Sequence, residues 1–100
     1  MLHKVATKNE ILEGSMKQIK VVGKQILLAN VGGEIFAIND ICTHEECSLS
    51  TGYLDGSTVY CPCHGSQFDV TTGAVTSPPA SFAEPIYPVK IEGEDVFIEI

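Results

Sequence analysis

Residues 42–66 read CTHEECSLSTGYLDGSTVYCPCHGS, and this stretch contains every cysteine of the chain and two of its three histidines. Cysteine and histidine occur together twice, as Cys42-x-His44 and, after sixteen intervening residues, as Cys61-x-x-His64. Thiolate and imidazole are ligands that suit zinc, copper and iron–sulfur centres. The spacing therefore predicts a metal centre between two loops, each of which supplies one sulfur and one nitrogen.

The order of these residues helps to distinguish between kinds of metal site. A zinc finger groups a cysteine pair and then a histidine pair, whereas each loop here carries one residue of each type. This order suits a two-iron cluster in which cysteines bind one iron and histidines bind the other. Two alternatives remain from the residues alone. One is a zinc site of mixed order, and the other is a pair of disulfides joining Cys42 or Cys47 to Cys61 or Cys63, which leaves the histidines unexplained.

The two segments CTHEEC (42–47) and CPCHGS (61–66) resemble the two cluster-binding boxes of the Rieske protein family. The resemblance covers residues 35–80 well and the flanking segments by general pattern. It implies one 2Fe–2S cluster per chain, and residues 78–80 resemble the proline loop that covers the cluster in this family. The implied ligands are Cys42, His44, Cys61 and His64.

Further features follow from the same resemblance. The respiratory Rieske subgroup has a cysteine pair matching Cys47 and Cys63 that forms a disulfide between the cluster loops, so this disulfide is implied here, although the membrane anchor of that subgroup is not seen. Ser66 matches a serine whose hydroxyl donates to a bridging sulfide. Phe68 stands where high-potential members carry tyrosine. The expected potential is therefore intermediate, within about −150 to +300 mV but below the upper end.

Outside these loops, short apolar segments alternate with turn residues. The pattern predicts an all-β fold, a small antiparallel sandwich or barrel forming one domain over residues 1–100. Cluster-binding loops are expected at about 41–54, 61–67 and 77–81, and His3 is expected to be an exposed residue at the chain end. The expected strands are 16–22, 25–29, 34–38, 58–60, 68–70, 74–76, 87–91 and 96–100.

Composition excludes several classes of partner. The chain has 13 acidic residues, six lysines and no arginine, with a net charge of −7, so it is a poor candidate for binding nucleic acid or an anionic membrane. This charge either keeps the protein soluble or also steers partners. No apolar run is longer than the four residues of 26–29, far below the roughly 18–20 residues of a membrane span. With no signal peptide evident, the sequence predicts a cytoplasmic location.

The remaining residues argue against an enzyme. A Rieske oxygenase needs a second iron bound by two histidines and a carboxylate, and only His3 remains once the cluster ligands are assigned. A nucleophilic pair and a glycine-rich nucleotide loop are also missing. The sequence thus predicts a monomeric one-electron carrier, a Rieske ferredoxin that passes electrons from a reductase to an oxygenase or another redox enzyme. The alternatives are a non-redox module with zinc or disulfides and a respiratory subunit without its anchor.

Overall fold

A computed structural model describes residues 1–43, 47–63, 65–78 and 80–100 of the chain. Over these residues the secondary structure consists of antiparallel strands and two single-turn 3₁₀ helices, Lys8–Glu10 and Leu49–Thr51. None of the described residues forms a helix with the length and apolar character needed to cross a membrane. The strands are β1 Leu2–Thr7, β2 Met16–Val21, β3 Lys24–Val31, β4 Glu34–Asn39, β5 Tyr53–Asp55, β6 Thr58–Tyr60, β7 Gln67–Asp69, β8 Val75–Ser77, β9 Ile86–Tyr87, β10 Val89–Glu92 and β11 Asp95–Glu99.

These strands form three sheets. A terminal sheet has the order β1-β11-β10, a central sheet the order β2-β3-β4-β9, and a distal sheet the order β5-β6-β7-β8. Every recorded strand pair is antiparallel. The predicted all-β antiparallel architecture is therefore confirmed.

Strand β3 explains how the sheets pack on one another. Its residues Ile26 to Asn30 are all buried, although successive side chains of a strand point to opposite faces. Ile26 and Leu28 belong to one apolar core, whereas Leu27 and Ala29 belong to another. A run without alternation is expected when both faces of a strand are covered, so the central sheet separates two cores.

The two cores lie between different pairs of sheets. One contains Ala6, Ile11, Val96 and Ile98, and it lies between the central and terminal sheets. The other lies between the central and distal sheets, and its buried members beyond β3 are Ile38, Cys42, Leu49, Val59, Cys61, Phe68, Val70 and Ala80. The second core therefore contains two of the predicted cluster ligands.

The structure differs from the sequence expectations at several boundaries. Strand β1 was not expected, and His3 lies in it, half-buried and opposite Ile98, rather than exposed at a loose end. The expected strand 87–91 is two strands, because Pro88 has no N–H to continue a ladder. Each expected loop also gives residues to a strand: 53–54 to β5, 67 to β7 and 77 to β8.

The turn between β2 and β3 has an unusual backbone. Val21 pairs with Lys24 across it, so Val22 and Gly23 are the two central residues. Both have positive φ, 50° at Val22 and 76° at Gly23, as a two-residue type I′ hairpin requires. Glycine adopts this conformation readily, but a β-branched residue does so rarely. Val22 therefore occupies a strained position on the surface.

Candidate metal centre

The sulfur-bearing side chains of Cys42 and Cys61 lie inside the core between the central and distal sheets. Their exposed fractions are 3% and 4%, and neither takes part in a disulfide. Cys42 comes shortly after β4, and Cys61 directly follows β6. Strands from two facing sheets thus deliver two thiols to one apolar region, as the pattern of two loops predicts.

The loop that carries Cys42 is closed by backbone hydrogen bonds. The N–H of Cys42 donates to the carbonyl oxygen of Cys47 at 2.9 Å, and Ile41 pairs with Ser48. The base of the loop rests on Asp40, which is fully buried. Its carboxylate accepts hydrogen bonds from the Ser50 N–H at 2.8 Å and from Nε2 of Gln18 at 2.6 Å. Asp40 thereby fixes the loop to strand β2 and to the following 3₁₀ turn.

The loop that begins at Cys61 is a tight turn. The Cys61 N–H donates to the carbonyl oxygen of Ser66 at 2.8 Å, and the Gly65 N–H donates to the carbonyl oxygen of Cys61 at 3.2 Å. Gly65 has a φ of 78°, a conformation that glycine adopts without a steric penalty. Ser66 at the end of the turn is fully buried. The turn therefore directs both Cys61 and Ser66 into the interior.

A disulfide between Cys47 and Cys63 joins the two loops, with their Cα atoms 6.4 Å apart. The Sγ atoms of Cys47, Cys61 and Cys63 all lie within 4.8 Å of one another. This pairing is the one implied by the resemblance to respiratory Rieske proteins. The alternative of two disulfides is wrong, because Cys42 and Cys61 stay outside any disulfide.

A third segment, which follows β8, is bonded to both loops. The Ala80 N–H donates to Oγ of Ser66 at 3.0 Å. Oγ1 of Thr43 donates to the carbonyl oxygen of Phe82 at 2.6 Å. Because Ser66 accepts the Ala80 N–H through its oxygen, its own hydroxyl hydrogen is left to donate elsewhere. The hydrogen bond from Ser66 to a bridging sulfide, which the resemblance implies, stays a prediction.

Glu84 belongs to the same segment and was not expected from the sequence. It is 3% exposed, and its Oε2 accepts the Thr43 N–H at 3.0 Å. Among the described residues its Oε1 has no hydrogen-bond partner. The pKa of Glu84 is raised to about 7, chiefly by burial and to a smaller extent by the negative charge of Asp40, while the Thr43 N–H and the Asn39 side chain oppose the shift. No sequence pattern distinguishes this buried glutamate from a solvated loop residue.

Phe68 lies in the same core as the two thiols and is fully buried. It pairs with Val59 on β6 and Val75 on β8, so its backbone position is fixed from both sides. The aromatic ring fills space in this core, and it has no hydroxyl to offer the metal centre. The interpretation of Phe68 as an apolar replacement for tyrosine stays a prediction.

The predicted ligands His44 and His64 lie outside the described residues, as do Glu45, Glu46 and Pro79. The side chains of the described residues are nonetheless of the chemical types that an iron–sulfur group needs. Two thiols lie buried in apolar surroundings, where a soft metal centre is well matched to sulfur. A disulfide and a buried serine hydroxyl adjoin them. The donor set of the described residues therefore fits one half of a two-iron cluster.

Net charge is distributed unevenly between residues 25–89 and the rest of the chain. Residues 25–89, which include β4 to β9 and all of β3 except Lys24, contain seven acidic residues and no lysine or arginine, so they carry the whole net charge of −7. The remainder has six acidic residues and six lysines. There, Lys4, Lys17 and Lys90 pair with Asp95, Glu10 and Glu92. The end of the molecule with the candidate centre is thus the acidic end.

Comparisons with known proteins agree with this geometry. The model of the family described as the Rieske [2Fe–2S] domain matches residues 1–88. The ferredoxin component of the naphthalene 1,2-dioxygenase system of Pseudomonas aeruginosa is 42% identical over 91 residues, which cover 91% of this chain and 88% of that protein.

Solved structures are similar over nearly the whole chain. The Sphingomonas yanoikuyae B1 ferredoxin superposes with a TM-score of 0.95 at 31% identity, covering 100% of this chain and 99% of the other. A chain in the complex of reduced oxygenase and oxidized ferredoxin of carbazole 1,9a-dioxygenase superposes with a TM-score of 0.93 at 32% identity, covering 97% and 91%.

Proposed function

Because the chain belongs to the Rieske [2Fe–2S] domain family, we propose that this electron carrier is the ferredoxin of a dioxygenase system. It would accept one electron from a reductase and deliver it to an oxygenase. The 42% identity to a ferredoxin component of such a system supports this role. So does the similarity to a chain of an oxygenase–ferredoxin complex.

The residues proposed to hold the cluster are Cys42 and Cys61 at one iron and His44 and His64 at the other. The observation that carries this assignment is the burial of the two thiols in one core, beside loops joined by the Cys47–Cys63 disulfide. The cluster, when bound, supplies a centre that takes up and releases one electron. The Ser66 hydroxyl would donate a hydrogen bond to it.

The protein's own contribution is to keep this site rigid and partly dry. The disulfide, the closed turn at Cys61 and the bonds of the third segment all restrict movement of the loops. Fixed dipoles in a poorly solvated site need little reorganisation when charge changes nearby. We therefore expect electron transfer with little movement of the chain.

We also propose that residues 1–100 act as one Rieske domain, with site loops near 41–54, 61–67 and 77–81. The continuous burial of β3 between two cores supports a single unit. Function as a monomer in the cytoplasm stays a prediction from the sequence.

Ligand substitution tests the proposed site. We expect His44→Ala and His64→Ala each to lose or grossly alter the visible absorption and the EPR spectrum of the reduced protein, because each removes one of two nitrogen ligands. His3→Ala is the control, since His3 lies in β1 of the terminal sheet, and its spectra should equal those of the parent. Parent spectra in His64→Ala would contradict the assignment.

Function is tested separately with purified reductase and oxygenase components of a naphthalene dioxygenase system. We expect the protein to support substrate oxidation when it replaces their own ferredoxin, at a reduced rate. A protein that carries the cluster and is reduced by the reductase, yet never reduces any oxygenase component, would contradict the proposed role but not the site.

A further inference from the structure

Glu84 is a buried carboxylate whose partners do not account for its burial. Asp40, the other buried carboxylate of the described residues, accepts hydrogen bonds at both oxygens. Glu84 accepts one at Oε2, and Oε1 has no partner among those residues. A buried polar atom without a partner costs free energy. Fold stability alone would favour an apolar side chain at this position.

The backbone of Glu84 is fixed, so its carboxylate has a defined direction. The Glu84 N–H donates to the carbonyl oxygen of Gly73 at 2.8 Å. A Cβ on Gly73 would come within 2.2 Å of the Glu84 carbonyl oxygen, so the two segments are in close contact. From this position the side chain reaches the Thr43 N–H at 3.0 Å.

Thr43 is the residue between Cys42 and His44, the two proposed ligands of the first loop. Its N–H points to Glu84 and its hydroxyl to the Phe82 carbonyl oxygen. The Thr43 N–H is therefore committed to the carboxylate of Glu84. In Rieske-type centres, hydrogen bonds to sulfur and local charge help to set the potential.

Among the described residues, no positively charged group acts on Glu84. The nearby charged group is another carboxylate, Asp40, and residues 25–89 contain no lysine or arginine. In a poorly solvated site, a fixed negative charge raises the energy of any further negative charge close to it. Reduction of a cluster adds one negative charge, so an ionised Glu84 opposes it.

We propose that Glu84 is a positioning residue of the cluster loop, whose buried carboxylate holds Thr43 and lowers the midpoint potential of the centre. The proposal rests on the proposed ligation by Cys42 and His44. It assigns to Glu84 a role that none of the cluster-binding motifs contains. Glu84 acts through the backbone of Thr43 and through its charge, without being a ligand.

The test is the midpoint potential of the loaded protein, measured by protein-film voltammetry at pH 8.5, above the Glu84 pKa of about 7. Glu84→Gln keeps the side-chain size and an acceptor oxygen, and Glu84→Leu suits a buried site without needing partners. Both remove the charge. We expect both to have a higher potential than the parent while the EPR spectrum stays Rieske-like.

Two control variants distinguish the proposed effect of Glu84 from a general effect of charge and from loosening of the loop. Asp55→Asn removes one negative charge at the exposed last residue of β5, and its potential should equal that of the parent. Thr43→Val removes the bond to Phe82 without changing charge, and it should raise the potential less than Glu84→Gln does. An equal rise in Thr43→Val would overturn the proposal, because loosening of the loop would explain the effect.

The remaining outcomes are also decisive. Unchanged potentials in both Glu84 variants would overturn the proposal, as would loss of the cluster from both, since Glu84 would then be needed for loop formation. A parent protein without a Rieske EPR spectrum would instead contradict the proposed function.

Discussion

The Ala80 N–H donates a hydrogen bond of 3.0 Å to Oγ of Ser66, and both residues are buried. This contact joins the segment after β8 to the loop that carries Cys61. It also restricts the orientation of the serine hydroxyl, because the hydrogen cannot point at the Ala80 N–H that the oxygen accepts. The hydroxyl hydrogen is thereby left to donate to another group within the proposed site.

Ser66→Ala should lower the midpoint potential, because it deletes a donor that stabilises the additional negative charge of the reduced state. It should also destabilise the fold by about 1–3 kcal/mol, since the Ala80 N–H is left buried without its acceptor. Voltammetry and thermal unfolding measure the two effects. Ser81→Ala, at an exposed position of the same segment, is the control and should change neither the midpoint potential nor the stability. An unchanged potential in Ser66→Ala would show that Ser66 has only a structural role.

Phe68→Tyr should raise the midpoint potential by adding a hydroxyl within the core that contains Cys42 and Cys61. The measurement is voltammetry across a pH series. Phe36→Tyr is the matched control, because Phe36 lies on β4 of the central sheet and is partly buried against the same core. If Phe68→Tyr shifts the potential no more than Phe36→Tyr does, Phe68 contributes packing alone.

The raised pKa of Glu84 makes a contribution to stability with a definite sign. The folded protein holds the carboxyl proton up to a pKa of about 7, whereas the unfolded chain releases it near 4.5. This contribution is therefore fully present below pH 4.5, declines as the pH rises through 7, and is absent above. The shift corresponds to about 3 kcal/mol at most.

Glu84→Gln should remove this dependence. We expect the melting temperature of the variant to exceed that of the parent by more at pH 8 than at pH 5, and the difference should grow mainly between these values. Differential scanning calorimetry of both proteins at matched ionic strength measures it. A constant difference across the range would mean that Glu84 does not titrate there.

The turn between β2 and β3 offers a stabilising substitution. Val22 has a φ of 50° and is 66% exposed, so it gains little from packing and bears the cost of a left-handed conformation. Val22→Asn should stabilise the fold by ~1 kcal/mol, because asparagine tolerates this conformation and Asn-Gly favours a type I′ turn. Chemical denaturation measures the change, and Val22→Thr, which keeps the β-branch, should show no gain. A loss of stability in Val22→Asn would count against the assigned strain.

The acidic end of the molecule predicts a salt effect on partner reduction. We expect residues 25–89 to meet a basic surface of the oxygenase. The second-order rate constant for electron transfer to the oxygenase should then fall several-fold between low salt and a salt concentration of about 0.5 M, where the Debye length is short. Stopped-flow spectroscopy at low protein concentration measures this constant. Asp55→Asn should weaken the dependence and Lys4→Gln should not, whereas a rate that rises with salt would contradict an attractive contact.

The apolar segments of β2 to β4 and the cysteine–histidine boxes could be found from the sequence because both are local patterns. Strand β1 could not, because its pairing partner β11 is at the other end of the chain. Of its six residues only Ala6 is buried. Strand β5 was missed because most of it, Tyr53 and Leu54, falls in the stretch 41–54 that the sequence predicts to be a cluster-binding loop.

Glu84 is the residue of the candidate site that the sequence analysis most clearly failed to predict. Glutamate in a loop is ordinarily solvated. The burial of Glu84 depends on its contacts with Gly73 and Thr43 and on the path of the chain after β8. None of these contacts produces a repeating pattern in the sequence. The loop ligands, by contrast, could be inferred because metal binding restricts residue type as well as spacing.

The burial of β3 on both faces has a consequence for how the molecule comes apart. Ile26 and Leu28 support one core while Leu27 and Ala29 support the other, so neither core can open without disturbing the strand they share. Loss of order at the metal end would therefore spread to the terminal sheet instead of staying local. Apoprotein freed of iron and sulfide should melt in one cooperative transition, in which both cores are lost together.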